Sequence, residues 1–293
     1  MENKNINRIY DLWLEKATAD PDLKEELLSI KGKDEEILDR FYRSLEFGTA
    51  GLRGVIGAGT NRMNYYTVGR ATQGLADFLN KHFENPSIAI GYDSRIKSDY
   101  FSIEAAKTLA ANGIKVYLYE ELEPTPCLSF AIRHFKTSSG IILTASHNPA
   151  KYNGYKVYGD DGCQIGPETA DSIVNIIKSM PLFEEFDAPV NEGLISLIGE
   201  DIENEFLKAV LTQQINPDAV KEAADNFKII YTPFHGTGYK PVMKAFNAIG
   251  LKNVYTVKEQ CVPDGDFPTV KSPNPEDKEG FTIGIEMAKK LDV

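Results

Sequence analysis

The sequence predicts an α/β protein with two successive, similar domains, each of three layers around a mostly parallel mixed sheet, the second domain being truncated. Between residues 87 and 143, apolar segments of strand character alternate with helical segments, which favours parallel strands joined by right-handed crossovers. The order of strand, loop, helix, glycine and strand returns about 140 residues later, when Ile88 is set against Lys228. This repeat of pattern indicates two units of like topology.

The composition limits the class of protein. A length of 293 residues suits one large or two medium domains, and 42% hydrophobic with 26% charged residues is typical of a soluble globular protein. The formal net charge of −11 disfavours nucleic acid or an anionic membrane as a partner, so an anionic substrate needs a local cluster of Lys and Arg. No apolar run approaches the ~18 residues of a membrane helix, and the start has no signal-peptide core. The three cysteines form no Cys-x-x-Cys pair, so we expect reduced thiols in a cytoplasmic protein.

The chain begins with helical segments that carry no chemistry. Apolar residues at helical spacing predict helices at residues 5–17, 22–29 and 34–44, and Trp13 is interpreted as an anchor to the domain behind them. We expect four parts: a helical extension at 1–47, a first α/β domain at 48–185, a connection at 186–202, and a second, incomplete α/β domain at 203–293.

Further elements follow from periodicity and from Gly and Pro positions. In the first domain we predict a helix at 65–82, a strand at 87–92, a helix capped by Ser98 and ending at Gly113, a strand at 114–119 and a helix at 125–135. In the second domain we predict a helix at 203–213, a strand at 227–231, a helix ending at Gly250, a strand at 254–257 and a helix at 278–290. Residues 291–293 resemble the start of another strand.

The stretch around Ser146 organises the rest of the chain. The apolar run that begins after Gly140 is typical of a strand buried on both faces, and Ser146 and His147 stand where it ends. Pro149 keeps the residue before it out of helical geometry, so the chain turns there. The serine hydroxyl is therefore offered at the rim of a sheet, where open α/β folds place ligands.

A hydrolase is one interpretation of adjacent Ser146 and His147. Neighbours in an extended segment point to opposite sides, and the Gly-x-Ser-x-Gly elbow is missing, so acyl transfer is disfavoured. A second interpretation is also possible: Ser146 and His147 stand at the strand end and only form hydrogen bonds within the turn.

Three other places offer charged groups. Arg53 lies among three glycines at residues 48–54, where it can offer a planar fork to phosphate oxygens or be a solvated residue of a turn. Asp93 and Arg95 follow a strand, so they either line the same cleft as Ser146 or form an ion pair that orders the loop. Lys156 lies in an alternating strand, facing the same side as Gly154.

A calcium loop at 264–275 is excluded, because its twelfth residue is a proline.

Together these motifs resemble a known family. Thr-Ala-Ser-His-Asn-Pro at 144–149, with Asn-Gly-Tyr-Lys at 153–156, resembles the active-site serine loop of the α-D-phosphohexomutases, the phosphoglucomutase and phosphomannomutase superfamily. Residues 47–54 resemble that family's N-terminal active-site loop, and residues 263–276 resemble a further family stretch. The resemblance implies that Ser146 carries a phosphoryl group, Arg53 faces the substrate, Lys156 contacts phosphate or carries a proton, and His147 shuttles the hydroxyl proton.

The resemblance also implies a reaction. Glucose 1-phosphate and glucose 6-phosphate would interconvert through phosphorylated Ser146 and a bisphosphorylated sugar, with glucose 1,6-bisphosphate as intermediate and activator. Mannose or pentose phosphate stays open, and so does the oligomeric state. Mg²⁺ would bind the phosphate on Ser146, with its remaining ligands beyond Val293. We therefore expect an N-terminal portion of a longer enzyme, inactive alone; a non-catalytic fragment is the alternative.

Overall fold

The computed structural model describes residues 3–48, 51–181, 183 and 189–293. Thr49 and Ala50 of the glycine-rich loop lie outside these residues, as does most of the segment 182–188 between the expected first domain and connection. The elements up to residue 179 are helices α1 (Asn3–Lys16), α2 (Pro21–Ser29), α3 (Asp34–Phe41), α4 (Tyr65–His82), α5 (Ser98–Ala111), α6 (Thr125–Phe135) and α7 (Pro167–Ser179), and strands β1 (Gly51–Val55), β2 (Ser87–Tyr92), β3 (Lys115–Tyr119), β4 (Ser139–Leu143) and β5 (Tyr152–Gly159).

The remaining elements follow the same alternation. They are β6 (Ile195–Ile198), α8 (Glu200–Leu211), α9 (Pro217–Ala223), β7 (Lys228–Tyr231), α10 (Tyr239–Ala248), β8 (Asn253–Thr256) and α11 (Thr282–Leu291). Strands β1 to β6 form one six-stranded sheet in the order β1-β5-β4-β2-β3-β6, and β7 pairs with β8 in a second sheet. The pairs β4–β2, β2–β3, β3–β6 and β7–β8 are parallel, while β5 runs antiparallel to both β4 and β1. The predicted α/β class with mostly parallel, mixed pairing is confirmed.

The first sheet is covered on both faces because its strands alternate two apolar sets. Ile88, Ile90, Ile141 and Leu143 belong to a core cluster with residues of α4, α5 and α7. The intervening Ala89 and Ile142 pack instead with α6, so the unit has three layers. The bounds of α4, β2 and α6 agree with the sequence prediction.

The N-terminal helices form a separate small core against this unit. Trp13 is 1% exposed and packs edge-on against Phe41, Tyr66 and Phe183. Its partner Tyr66 lies in the first turn of α4, whose start is fixed by Asn64: the Asn64 side chain accepts from two backbone amides while Thr67 accepts from the Asn64 amide. The anchoring interpretation of Trp13 is therefore confirmed.

Strand β6 was missed by the sequence prediction. It lies inside the expected connection 186–202, yet it pairs with β3 as the edge strand of the first sheet. Helix α8 then packs Ile202 and Phe206 onto the α6 side of that sheet, so the segment continues the first unit's architecture. In a four-residue strand beside a proline-bearing segment, the alternation of apolar and polar residues is too short to distinguish the strand from a loop. The four domain boundaries themselves stay predictions.

Two other local predictions were wrong. Leu291 ends helix α11, and Asp292 adopts a left-handed conformation with φ of 52°, so residues 291–293 do not begin a strand. Ser98 is the first residue of α5 rather than its cap; Lys97 occupies the cap position with φ of 62°. The Ser98 hydroxyl instead donates to Asp93 and accepts from the Asn153 amide.

Candidate active site

The serine loop, residues 144–151, connects β4 to its antiparallel neighbour β5. The Ser146 amide donates to Thr144 Oγ1 over 2.9 Å, which forms a tight turn immediately after the strand. Ser146 has φ of 54°, a left-handed conformation that non-glycine residues seldom adopt. Ser146 and His147 are both exposed, so the hydroxyl is presented at the rim of the sheet as predicted.

The buried guanidinium of Arg95 holds this loop in place. One terminal nitrogen donates to the carbonyls of Ser146, at 2.8 Å, and Asn148, at 2.5 Å. The other donates to the carbonyls of Pro149, at 3.1 Å, and Tyr152, at 2.9 Å. The Arg95 side chain is 0% exposed, so its donors have little competition from water.

Arg95 is itself fixed by Asp93 at the end of β2. The Asp93 carboxylate lies 3.5 Å from Arg95 Nε and accepts from the Arg95 amide and the Ser98 hydroxyl. Burial raises the pKa of Asp93, and the donated hydrogen bonds and the Arg95 charge oppose that rise. Asp93 and Arg95 thus form the ion pair that was one of the two interpretations, and Asp93 also lines the cavity described below, as the other interpretation expected.

Arg53 and Lys156 lie on one face of the sheet. Strand register places Arg53 opposite Gly154 and Lys156 opposite Ile142, so both cations are on the face that carries α6. Burial lowers the pKa of Lys156, and the charges of Arg53 and Arg95 lower it further, while Asp93 raises it. Both arginines therefore act on Lys156, and neither Arg53 nor Lys156 forms a salt bridge with a described residue.

Glycines allow the strands under the site to approach closely. A Cβ at Gly51, where φ is 140°, would lie 1.8 Å from the carbonyl oxygen of Tyr155. A Cβ at Gly154 would lie 2.5 Å from the carbonyl oxygen of Thr144. At these two positions the close approach is between strands, whereas the sequence interpretation of the glycine-rich loop was an approach to a bound group.

A cavity of about 510 Å³ opens between the serine loop and the second unit. Ser146, His147 and Asp93 line it on one side, and Thr232 and Phe234 of the loop after β7 line it on the other. Of the described residues, neither Arg53 nor Lys156 is in its lining. The predicted site residues thus form two sets: Ser146 and His147 line the cavity, while Arg53 and Lys156 share a face of the sheet outside that lining.

Glu123 is a lining residue that the sequence interpretation missed. It is 2% exposed, and its Oε2 has no hydrogen-bond partner among the described residues. Burial raises the pKa of Glu123 to about 7, and the nearby carboxylate of Glu203 on α8 raises it too, while Cys127 and Lys240 lower it. Glu203 keeps its charge because Lys240 and Lys244 bind it. Only the fold brings the two glutamates together, so the sequence offers no spacing that would reveal the pair.

Within the described ranges, no helix is long and apolar enough to cross a membrane. Over the same ranges, no three His, Cys, Asp or Glu side chains are grouped in a way that could hold a metal ion.

Fold and site together define a class: an α/β protein that presents a serine on an ordered loop after a central strand, near a cluster of cations. Family models match most of the chain: "Phosphoglucomutase/phosphomannomutase, alpha/beta/alpha domain I" over residues 44–182 and the corresponding domain II over residues 204–293. The chain belongs to the phosphoglucomutase/phosphomannomutase family, as its motifs predicted.

Curated relatives support the same assignment. The chain is similar to the phosphoglucomutase of Staphylococcus haemolyticus (strain JCSC1435), with 37% identity over 276 residues, 90% of this chain and 50% of that protein. The phosphoglucomutase of Staphylococcus aureus (strain USA300) is 34% identical over 283 residues, 96% of this chain and 50% of that protein. The chain therefore spans about half the length of the curated relatives it matches.

Solved structures share the fold. A putative phosphomannomutase from Thermus thermophilus superposes with a TM-score of 0.70 at 26% identity, over 84% of this chain and 52% of that one. The open form of the phosphoprotein parafusin from Paramecium has a TM-score of 0.65 at 20% identity, over 86% of this chain and 48% of that one. At 20% identity the second likeness shows the fold alone.

We predict that Arg95→Lys destabilises the protein by about 3 kcal/mol, because a buried lysine lacks the planar fork that donates to four backbone carbonyls. Urea unfolding followed by circular dichroism measures the loss. Arg133→Lys is the matched control: Arg133 is exposed and donates to a single carbonyl, so we expect a change within about 0.5 kcal/mol. An equal effect of the two substitutions would contradict the role of Arg95.

We predict that the stability of Glu123→Gln relative to the wild type increases between pH 5 and pH 8. The raised pKa of about 7 means that the folded state of the wild type holds the Glu123 proton more tightly than the unfolded state. That stability is present below the ordinary glutamate pKa and is lost as the pH rises through about 7. Glutamine cannot ionise, so the difference between variant and wild type should grow by up to about 3 kcal/mol between pH 5 and pH 8.

Urea titrations at both pH values test this, with Glu259→Gln at an exposed site as the control. A difference that is independent of pH would show that Glu123 titrates normally.

Proposed function

We propose that this chain carries the phosphoserine half-reaction of a phosphohexomutase, whose full cycle interconverts glucose 1-phosphate and glucose 6-phosphate. One observation carries the proposal. An exposed serine, in a strained backbone conformation, is held by a buried guanidinium just after the carboxyl end of β4, and Arg53 and Lys156 nearby form no salt bridge with a described carboxylate. Phosphoryl transfer depends mainly on positioning and charge neutralisation, and this arrangement supplies both.

The half-reaction forms one bond and breaks another. Ser146 Oγ attacks a phosphoryl group of a hexose bisphosphate, the bond between phosphorus and the sugar oxygen breaks, and the serine proton ends on that oxygen. The reverse step returns the phosphoryl group to the other hydroxyl of the sugar. We propose His147, exposed beside Ser146 and lining the cavity, as the carrier of this proton.

Arg53 and Lys156 are proposed to offset phosphate charge. Their shared face and the lowering of the Lys156 pKa by Arg53 mean that an anion placed between them relieves a repulsion already present. A depressed pKa also makes Lys156 an alternative proton carrier. The cation pair supplies the local attraction that a chain with net charge −11 needs for an anionic sugar phosphate.

Glucose phosphate is the proposed substrate because the curated relatives quoted above are named phosphoglucomutases. Mannose phosphate is the second candidate, since the Thermus structure is titled a putative phosphomannomutase; pentose phosphate is the third. Glucose 1,6-bisphosphate is the proposed intermediate and activator. Because the chain spans about half of its relatives, we do not expect residues 1–293 alone to complete the cycle.

Mg²⁺ stays a proposal, with the phosphate on Ser146 as one ligand. The described residues do not fit a metal site of their own: they contain no cluster of three ligating side chains, and Asp93 is already occupied by hydrogen-bond donors. No step is therefore derived through the ion.

A serine hydrolase is the second candidate, and one observation favours it. The left-handed conformation of Ser146 after a strand resembles a nucleophile elbow. The described hydrogen bonds, however, join no histidine ring to the Ser146 hydroxyl, which a triad would require.

We predict that incubation with glucose 1,6-bisphosphate adds one phosphate to this chain, mapped to Ser146 by intact and peptide mass spectrometry. Ser146→Ala should lose the adduct. Ser94→Ala, at a serine that lines the same cavity, should keep it. Covalent labelling of Ser146 by a fluorophosphonate, without any phosphate adduct, would favour the hydrolase instead.

A further inference from the structure

Residues 262–272 of the second unit lie against the serine loop of the first. The ring centroid of Phe267 is 5.2 Å from Cζ of Arg95, a cation–π contact with the guanidinium that holds the loop. The Ser272 hydroxyl donates to the carbonyl of His147 over 3.2 Å, at the residue next to the nucleophile. This segment overlaps residues 263–276, whose sequence resembles a further family stretch.

A glycine brings the segment this close. A Cβ built at Gly265 would lie 2.6 Å from the backbone nitrogen of Ile96 and 3.0 Å from the carbonyl oxygen of Ser94. Both atoms belong to the backbone on either side of Arg95, so any side chain at this position would push the segment away. The contact is therefore backbone against backbone, without room for adjustment.

The segment is anchored to its own unit by a buried polar network. His235 is 2% exposed; its Nδ1 donates to the Val262 carbonyl over 3.0 Å, and its Nε2 lies 2.8 Å from Thr269 Oγ1. Gln260 donates to the same Thr269 hydroxyl oxygen. His235 and Gln260 both belong to the second unit, and the segment is thus a fixed part of that unit.

We propose that residues 262–272 form a brace through which the second unit fixes the serine loop, with Phe267 as a positioning residue for Ser146. The ring covers Arg95, which excludes water from four hydrogen bonds, and Ser272 restrains the backbone just after Ser146. The serine loop then reaches its transfer geometry only when the second unit is docked. The consequence for phosphoryl transfer rests on the proposed function, whereas the brace itself does not.

Hydrogen exchange of this 293-residue chain, followed by mass spectrometry of peptides from residues 144–153, tests the brace. Phe267→Leu keeps apolar bulk without an aromatic face, Ser272→Ala removes one hydrogen bond, and Gly265→Ala adds the obstructing Cβ. We expect exchange in the serine loop to accelerate about threefold to tenfold in each variant.

Two matched controls separate the brace from general loss of stability. Phe246→Leu removes an aromatic contact with Tyr231 elsewhere in the second unit, and Gly166→Ala adds a Cβ where nothing lies within 4 Å. We expect both controls to leave exchange in the serine loop unchanged. Serine-loop exchange that stays at the wild-type rate in folded Ser272→Ala and Phe267→Leu would overturn the brace.

The rate of phosphate addition to Ser146 from glucose 1,6-bisphosphate supplies the second measurement. Phe267→Leu should slow it about tenfold, and Phe267→Tyr, which keeps the aromatic face, should restore it. A wild type that accepts no phosphate but shows the exchange pattern would refute the proposed function and support the brace. Equal transfer rates for the leucine and tyrosine variants would refute the positioning role of Phe267.

Discussion

The site depends on the four hydrogen bonds from one buried guanidinium to the backbone of the serine loop. A loop that follows the end of a strand has carbonyls without partners in the sheet, and such groups are costly to bury unsatisfied. Arg95 satisfies them with a rigid planar fork, which restrains the conformation of the loop. The exposed, left-handed Ser146 follows from this constraint, because the loop's carbonyls point inward while the side chain is left outside.

The same constraint organises the charges. Asp93 orients Arg95 and offsets part of its charge, so the guanidinium serves the structure of the loop. Among the described residues neither Arg53 nor Lys156 forms a salt bridge, although the charge of Asp93 acts on Lys156, so both cations stay available to an anion. A strongly acidic chain therefore keeps a small positive region near Ser146. The arrangement separates the cation that shapes the loop from the cations that can meet a phosphate.

Much of the fold could be predicted from the sequence, because alternating apolar runs and glycine or proline breaks identify β2, α4 and α6 and place Ser146 at a strand end. The role of Arg95 in holding the serine loop could not be predicted. Its acceptors are backbone carbonyls, which every residue has, and its contact with a loop distant in sequence produces no recognisable sequence pattern. The short edge strand β6 and the pairing of Glu123 with Glu203 were missed for a related reason. Both depend on which segments the folded chain brings together. The motif also could not reveal the left-handed backbone at Ser146, where a glycine would be the usual signal.

Nitrogen-15 NMR of the arginine side chains tests the account most directly. Guanidinium groups in water rotate and exchange their protons quickly, whereas one held by four hydrogen bonds in a buried site does neither. We expect separate, slowly exchanging Nη resonances for Arg95, and these signals should vanish in Arg95→Lys. Averaged Nη signals for every arginine would contradict the claim that Arg95 holds the serine loop.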